Sequence, residues 1–135
     1  MISDATFFDI ARTIARHGTC SRLNVGSLIV RDNRIVSTGY NGSAQGLPHC
    51  HHDDDLPCHA SVHSEVNAIA FAARHGVATL GAAMYCTHCP CDHCAGIIIN
   101  SGIRTVVYET PYRNDRGIVS LMAAGVEVVK WEDNQ

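Results

Sequence analysis

Apolar positions recur along this chain with two distinct periods. From Ser3 to His17, the residues Phe7, Ile10, Ala11, Ile14 and Ala15 fall on one helical stripe, and Gly18 offers a stop. Two β-rich runs follow, Val25–Val30 and Arg34–Tyr40, joined by the turn pair Asp32-Asn33, which predicts a hairpin. The polar stretch NGSAQGLPHCHHDDDLPCHA comes next; loops of this length are uncommon in compact domains and are usually functional or tied down. A helix is expected from about Val62 to His75, ended by Gly76. Beyond it, AAMYCT (82–87) reads as a buried strand and CDHCAGIIINSG as a helix entered through Pro90. RTVVYET (104–110) is another buried strand, DRGIVSLMAAG (115–125) a last helix and VEVVKW a final strand. Alternation of strand and helix in the second half implies parallel pairing with right-handed crossovers, whereas the front hairpin is antiparallel. The expectation is one α/β domain over 1–135, with a mixed five-stranded sheet and helices on both faces.

Composition narrows this. Apolar residues make up 46% of the chain, enough for a core, and charged residues only 17%, which argues against disorder. The formal net charge of −3 supplies no basic field for a phosphate backbone, so no nucleic-acid partner is expected. The opening residues lack a cationic leader followed by an apolar core, and no stretch approaches the length of a membrane span. A soluble, cytoplasmic protein without a membrane partner is the expectation. Seven cysteines form an odd set, better read in a reducing compartment as thiols and metal ligands than as disulfides. Of the nine histidines, five fall between positions 49 and 63.

The chemistry concentrates in two short stretches. In VHSEVNA (62–68), His63 and Glu65 stand two apart at the head of an apolar run. On the middle turns of a helix such residues point to opposite sides, but at the first turn they can converge on something above the axis. In PCDHC (90–94), Cys91 and Cys94 lie three apart at a helix start, where partial positive charge favours thiolates. Two thiolates and the His63 imidazole make a three-ligand zinc site with one position open, as catalytic zinc sites have. The Glu65 carboxylate would stand beside that position. The combination H-x-E followed by P-C-x-x-C is the signature of zinc nucleobase deaminases, and it implies hydrolytic deamination with Glu65 handling the protons. The competing reading is a structural zinc stapling two helices, with Cys89 or His93 as fourth ligand, which leaves Glu65 without a task. His17 and His75 sit near helix C-termini, where a cation suits the dipole. His88 and His93 flank the ligands, either supporting them or lying exposed.

The resemblance extends past the signature. STGYNGSAQGLPHC (37–50), HSEVNAIAFAA (63–73), CSRLNVGSLIV (20–30) and GAAMYCTHCPCDHCAGIIINSGI (81–103) are similar, in order and spacing, to the deoxycytidylate (dCMP) deaminase family. The likeness covers nearly the whole chain. It implies a cytidine-deaminase-like three-layer α/β/α sandwich and conversion of dCMP to dUMP and ammonia, a step towards dTMP. Alternative substrates are dCTP, a free nucleoside or a tRNA adenosine. It implies that His63, Cys91 and Cys94 hold the catalytic Zn2+, that Glu65 is the general acid–base, and that Asn41 contacts the sugar 3′-hydroxyl. The backbone around Ser64 and the 87–90 loop would read the pyrimidine edge; Ser64 itself stands where the family usually has Ala, and Cys89 where it usually has Ser. Arg113 is either the cation for the phosphate or an ordinary loop charge, and Tyr112 either a gate or packing. Cys20 and Cys50 match cysteines that in some relatives hold a second, structural Zn2+; Cys58 and His59 would complete it, with His49 or His52 as substitutes. The resemblance also implies a hexamer, activation by dCTP, inhibition by dTTP, and Mg2+ accompanying a nucleotide effector.

Overall fold

The computed structural model describes residues 1–20, 23–49 and 61–133. Helix α1 (Asp4–Ala15) is capped by Ser3, whose hydroxyl accepts the Thr6 backbone N–H. Strands β1 (Gly26–Arg31) and β2 (Arg34–Tyr40) form the expected antiparallel hairpin. Its turn residues Asp32 and Asn33 have φ of 54° and 59°, the left-handed pair that matches the twist of a tight hairpin. After β2 come a two-residue bridge of β3 (Gly42–Ser43) with β4 (Ser61–Val62), and then α2 (Ser64–Arg74). The second half runs β5 (Ala83–His88), α3 (Asp92–Asn100), β6 (Thr105–Thr110), α4 (Arg116–Ala123) and β7 (Glu127–Lys130).

The five-stranded sheet has the order β2-β1-β5-β6-β7. Its β1–β5 pair is antiparallel, and β5–β6 and β6–β7 are parallel, so the expected mixed sheet is observed. Strand periodicity separates two apolar layers. On one face Phe7, Phe8 and Ala11 of α1 pack on Leu28, Val30, Tyr85 and Val107. On the other, Ile29, Met84, Cys86 and Val106 meet Ala68 of α2, Ala95 and Ile98 of α3 and Leu121 of α4. This is the three-layer α/β/α arrangement that the resemblance implies.

Two details differ from the sequence pattern, and both shape the site. Val62 pairs with Gly42 instead of opening the helix, so α2 starts at Ser64 and His63 becomes its N-cap. Short edge bridges of this kind leave no hydrophobic period to read. The second is the closeness of α2 to β2: a methyl group at Gly39 would lie 2.3 Å from the Ser64 carbonyl oxygen and 2.6 Å from the Ala68 nitrogen. Gly39 therefore sets how deeply the head of α2 sits on the sheet. We predict that Gly39→Ala destabilises the fold by roughly 1–3 kcal/mol, the usual range for overpacking, as a lowered midpoint in urea denaturation.

Candidate active site

Two helix starts face each other at the C-terminal end of β5. His63 is the N-cap of α2 and Cys91 the N-cap of α3, and neither side chain makes the capping hydrogen bond usual at that position. They turn towards one another instead. His63 Nδ1 lies 3.2 Å from Cys94 Sγ and 3.5 Å from Cys91 Sγ, and all three donor atoms fall within 4.8 Å of one another. Tetrahedral zinc with ordinary Zn–S and Zn–N bonds needs donor spacings of about 3.6 Å, so the set is close to closed around an ion already.

The protonation chemistry agrees. The Cys91 thiol is drawn down to about 4, first by its hydrogen bond with Cys94 and then by His63. Cys94 is pushed up by the same pairing, by burial and by nearby Glu65. His63 is raised, chiefly by the Cys91 sulfur. Two sulfurs in contact cannot both be thiolates without a cation between them, and two helix N-termini supply only partial positive charge. These donors fit a Zn2+ ion. Among the described residues no fourth His, Cys or acidic ligand joins the cluster. Cys89 is buried with its sulfur directed 3.6 Å from the Pro90 carbonyl oxygen, and burial pushes its thiol up to about 11. His93 is exposed on α3. A site with three protein donors leaves a coordination position for water or substrate, which a structural staple does not.

Glu65 lies in the first turn of α2 and is 4% exposed. Its Oε1 accepts the Ser64 hydroxyl at 2.5 Å, and the Ser27 hydroxyl lies 2.7 Å from Ser64 Oγ and 3.5 Å from Glu65 Oε1. Ser64 therefore directs its hydroxyl at the carboxylate, and only its backbone is left to meet a ring. The first turn of α2 thus aims His63 and Glu65 at one point, which resolves their two-residue spacing.

Above these groups is a cleft of about 690 Å³. Asn41, Tyr112, Arg113 and Cys20 all line it together with His63, Ser64, Glu65 and Cys91. Asn41 is buried and organises the near wall: its Oδ1 accepts the Val25 N–H at 2.7 Å and its Nδ2 donates to the Leu23 carbonyl. An amide nitrogen carries a second N–H, which suits it to a sugar hydroxyl. The Arg113 guanidinium lies 5.2 Å above the Tyr112 ring, a cation–π stack that steadies it at the rim. Cys50, Cys58, His59 and His52 lie outside the described residues, while His49 is exposed.

Two residues that serve this site, Arg116 and Ser27, were not singled out by the sequence, whereas His88 lies in the 87–90 loop named above. Arg116, at the start of α4, reaches the same rim as Arg113. His88 lines the wall, with its Nδ1 3.0 Å from Thr87 Oγ1, and burial lowers its pKa, favouring the neutral ring. Ser27 carried one signal: a polar residue at a core-facing position of GSLIV. Arg116 carried none, because its role depends on α4 packing against the head of α3. That approach needs Gly117, where a methyl would lie 2.2 Å from the Pro90 carbonyl oxygen.

The chain matches the cytidine and deoxycytidylate deaminase zinc-binding region over residues 1–110. It is 42% identical over 131 residues to ComE operon protein 2 of Bacillus subtilis, covering 93% of this chain and 69% of that one. It is 35% identical over 141 residues to the deoxycytidylate deaminase of Schizosaccharomyces pombe, covering 95% of this chain but 44% of the yeast protein. Among solved structures, the dCMP deaminase of cyanophage S-TIM5 in complex with dCMP and dUMP superposes with a TM-score of 0.90 at 29% identity, covering 97% of this chain and 100% of that one.

Removing any one donor should open the zinc site. We predict that His63→Ala or Cys94→Ala abolishes stoichiometric zinc at this site, read by elemental analysis of the purified protein against the parent, while Cys89→Ser keeps it.

Proposed function

The chain belongs to the cytidine and deoxycytidylate deaminase family, and we propose that it hydrolyses dCMP to dUMP and ammonia. One observation carries the reading: a three-donor metal cluster and a buried carboxylate share the floor of a cleft whose rim holds two arginines. Zinc on His63, Cys91 and Cys94 supplies, when bound, the Lewis acidity that makes water nucleophilic near neutral pH. Glu65 takes the proton that the attacking water loses, passes it to ring N3, and delivers a proton to the amino group leaving C4. Water and dCMP are thereby converted to dUMP and ammonia with no redox partner. Burial keeps bulk water from competing for the Glu65 proton.

The arginines bear on which cytosine compound enters. Arg113 and Arg116 converge on one rim, and a guanidinium fork is the usual partner for phosphate oxygens. A nucleotide fits this rim better than a free nucleoside does. The finer expectations of the resemblance stand with this proposal. They are a hexameric assembly, dCTP activation with Mg2+, dTTP inhibition, a place in dTMP precursor synthesis, a cytoplasmic location, and a second zinc on Cys20 with Cys50, Cys58 and His59. Exposed Phe71, Ile97, Val119 and Met122 on α2, α3 and α4 support assembly of some order. Among the described residues no helix is long and apolar enough to cross a membrane.

The substrate is tested by offering dCMP, dCTP, CMP and deoxycytidine in competition and following each uracil product by chromatography. Chelator-sensitive conversion of dCMP is expected; conversion of none of the four would contradict the proposal. Glu65→Gln should keep zinc and fold while kcat falls by at least ~10²-fold, the usual scale for a lost general acid–base. Arg116→Ala should raise KM for dCMP about tenfold or more and leave KM for deoxycytidine nearly unchanged, since one charge-assisted bond to phosphate is lost.

A further inference from the structure

Beneath Glu65 the core contains polar groups that packing alone does not call for. Ser27 and Ser64 are both 0% exposed, on the helix-facing side of β1 and in the first turn of α2. Burying a hydroxyl is costly unless it is hydrogen-bonded, and an alanine at either place would avoid the cost. Here both hydroxyls point the same way. Ser64 Oγ donates to Glu65 Oε1 at 2.5 Å, and since its single proton is then spent, the 2.7 Å contact with Ser27 has Ser27 as donor. The proton order is fixed: Ser27 to Ser64 to Glu65 Oε1. Cys86, fully buried, is the cross-strand partner of Ser27 on β5.

We infer that Ser64, backed by Ser27, is a positioning residue for Glu65, pinning Oε1 so that Oε2 carries the proton traffic of the reaction. This rests on the deaminase reading given above. A carboxylate on a flexible side chain loses rotamer freedom when one oxygen is held by a charge-assisted bond, and a second hydroxyl behind the first strengthens that bond by polarising it. Its two anchors sit on different elements, so it registers the head of α2 against β1 as well as orienting the acid. Pre-organisation of this kind shows in turnover more than in substrate binding.

The test uses Ser64→Ala, Ser27→Ala and the double variant of the zinc-loaded full chain. Ser64→Ala is expected to lower kcat for dCMP about tenfold with KM and zinc stoichiometry unchanged. Ser27→Ala should lower kcat about threefold, and should cost less once Ser64 is already Ala, because Ser27 acts chiefly through Ser64 and itself meets Oε1 only at 3.5 Å. A second readout is independent of turnover. The infrared carboxylate band that disappears in Glu65→Gln is expected to shift in Ser64→Ala, where the 2.5 Å hydroxyl contact on Oε1 is removed. A kcat within twofold of the parent, additive losses, or losses matched by falling zinc content and melting temperature would overturn the brace. If the parent protein converts no dCMP, the substrate reading fails, and the infrared band still decides the brace: an unmoved band overturns it whatever the substrate.

Discussion

Two helix N-termini pointing at one another impose the constraint on which the site depends. His63 and Cys91 occupy N-cap positions where an ordinary sequence would place a hydroxyl or carboxylate to satisfy the helix. They leave the caps unfilled and give their donor atoms to a common centre with Cys94. The positive ends of both helices favour thiolate there, and an ion completes the neutralisation that the sulfurs and the imidazole cannot achieve among themselves. The arrangement holds only if the two helices are seated to within a fraction of an ångström. That seating is the job of the glycines: Gly39 lets α2 drop onto β2, and Gly117 lets α4 abut the turn before α3. Glu65, two residues from His63 in the same first turn, inherits its aim from the same placement.

The parts of this architecture that repeat were legible in the sequence. Helical period in 3–17, alternation and a turn pair in 25–40, and strand–helix alternation from 82 onward each gave their elements to within a few residues, because one face of each element is buried against a neighbour. The ligands were legible for a chemical reason: His63, Glu65, Cys91 and Cys94 carry a spacing that few other tasks require. What escaped was tertiary. The β3–β4 bridge is too short to show a period, so α2 seemed to start two residues early. Arg116 looked like any charge at a helix start, and only the packing of α4 brings it to the rim beside Arg113. Ser27 showed as one polar residue in an apolar strand, without a hint that its partner was Ser64, 37 positions away. The proposed second zinc falls mostly on Cys50, Cys58 and His59, outside the described residues, with only Cys20 placed, on the cleft wall.

Division of labour within the cleft follows from burial. The floor is buried and holds the groups that move protons; the rim is exposed and holds the groups that recognise charge. Glu65 at 4% exposure and Ser64 at 0% belong to the first set, whereas Arg113 and Arg116 belong to the second. Electrostatics at the floor is little screened, so small displacements of the carboxylate matter there; at the rim, affinity depends on salt and on how many phosphate oxygens are met. Changes of substrate preference should therefore be sought among the rim residues, and changes of rate beneath.

The most direct check of the account is anomalous diffraction at the zinc edge from crystals of the purified protein. A peak bonded to His63 Nδ1, Cys91 Sγ and Cys94 Sγ, with a water as its fourth ligand within reach of Glu65, is the result predicted. A fourth protein donor such as Cys89 closing the sphere, or zinc absent from these three residues, would contradict it.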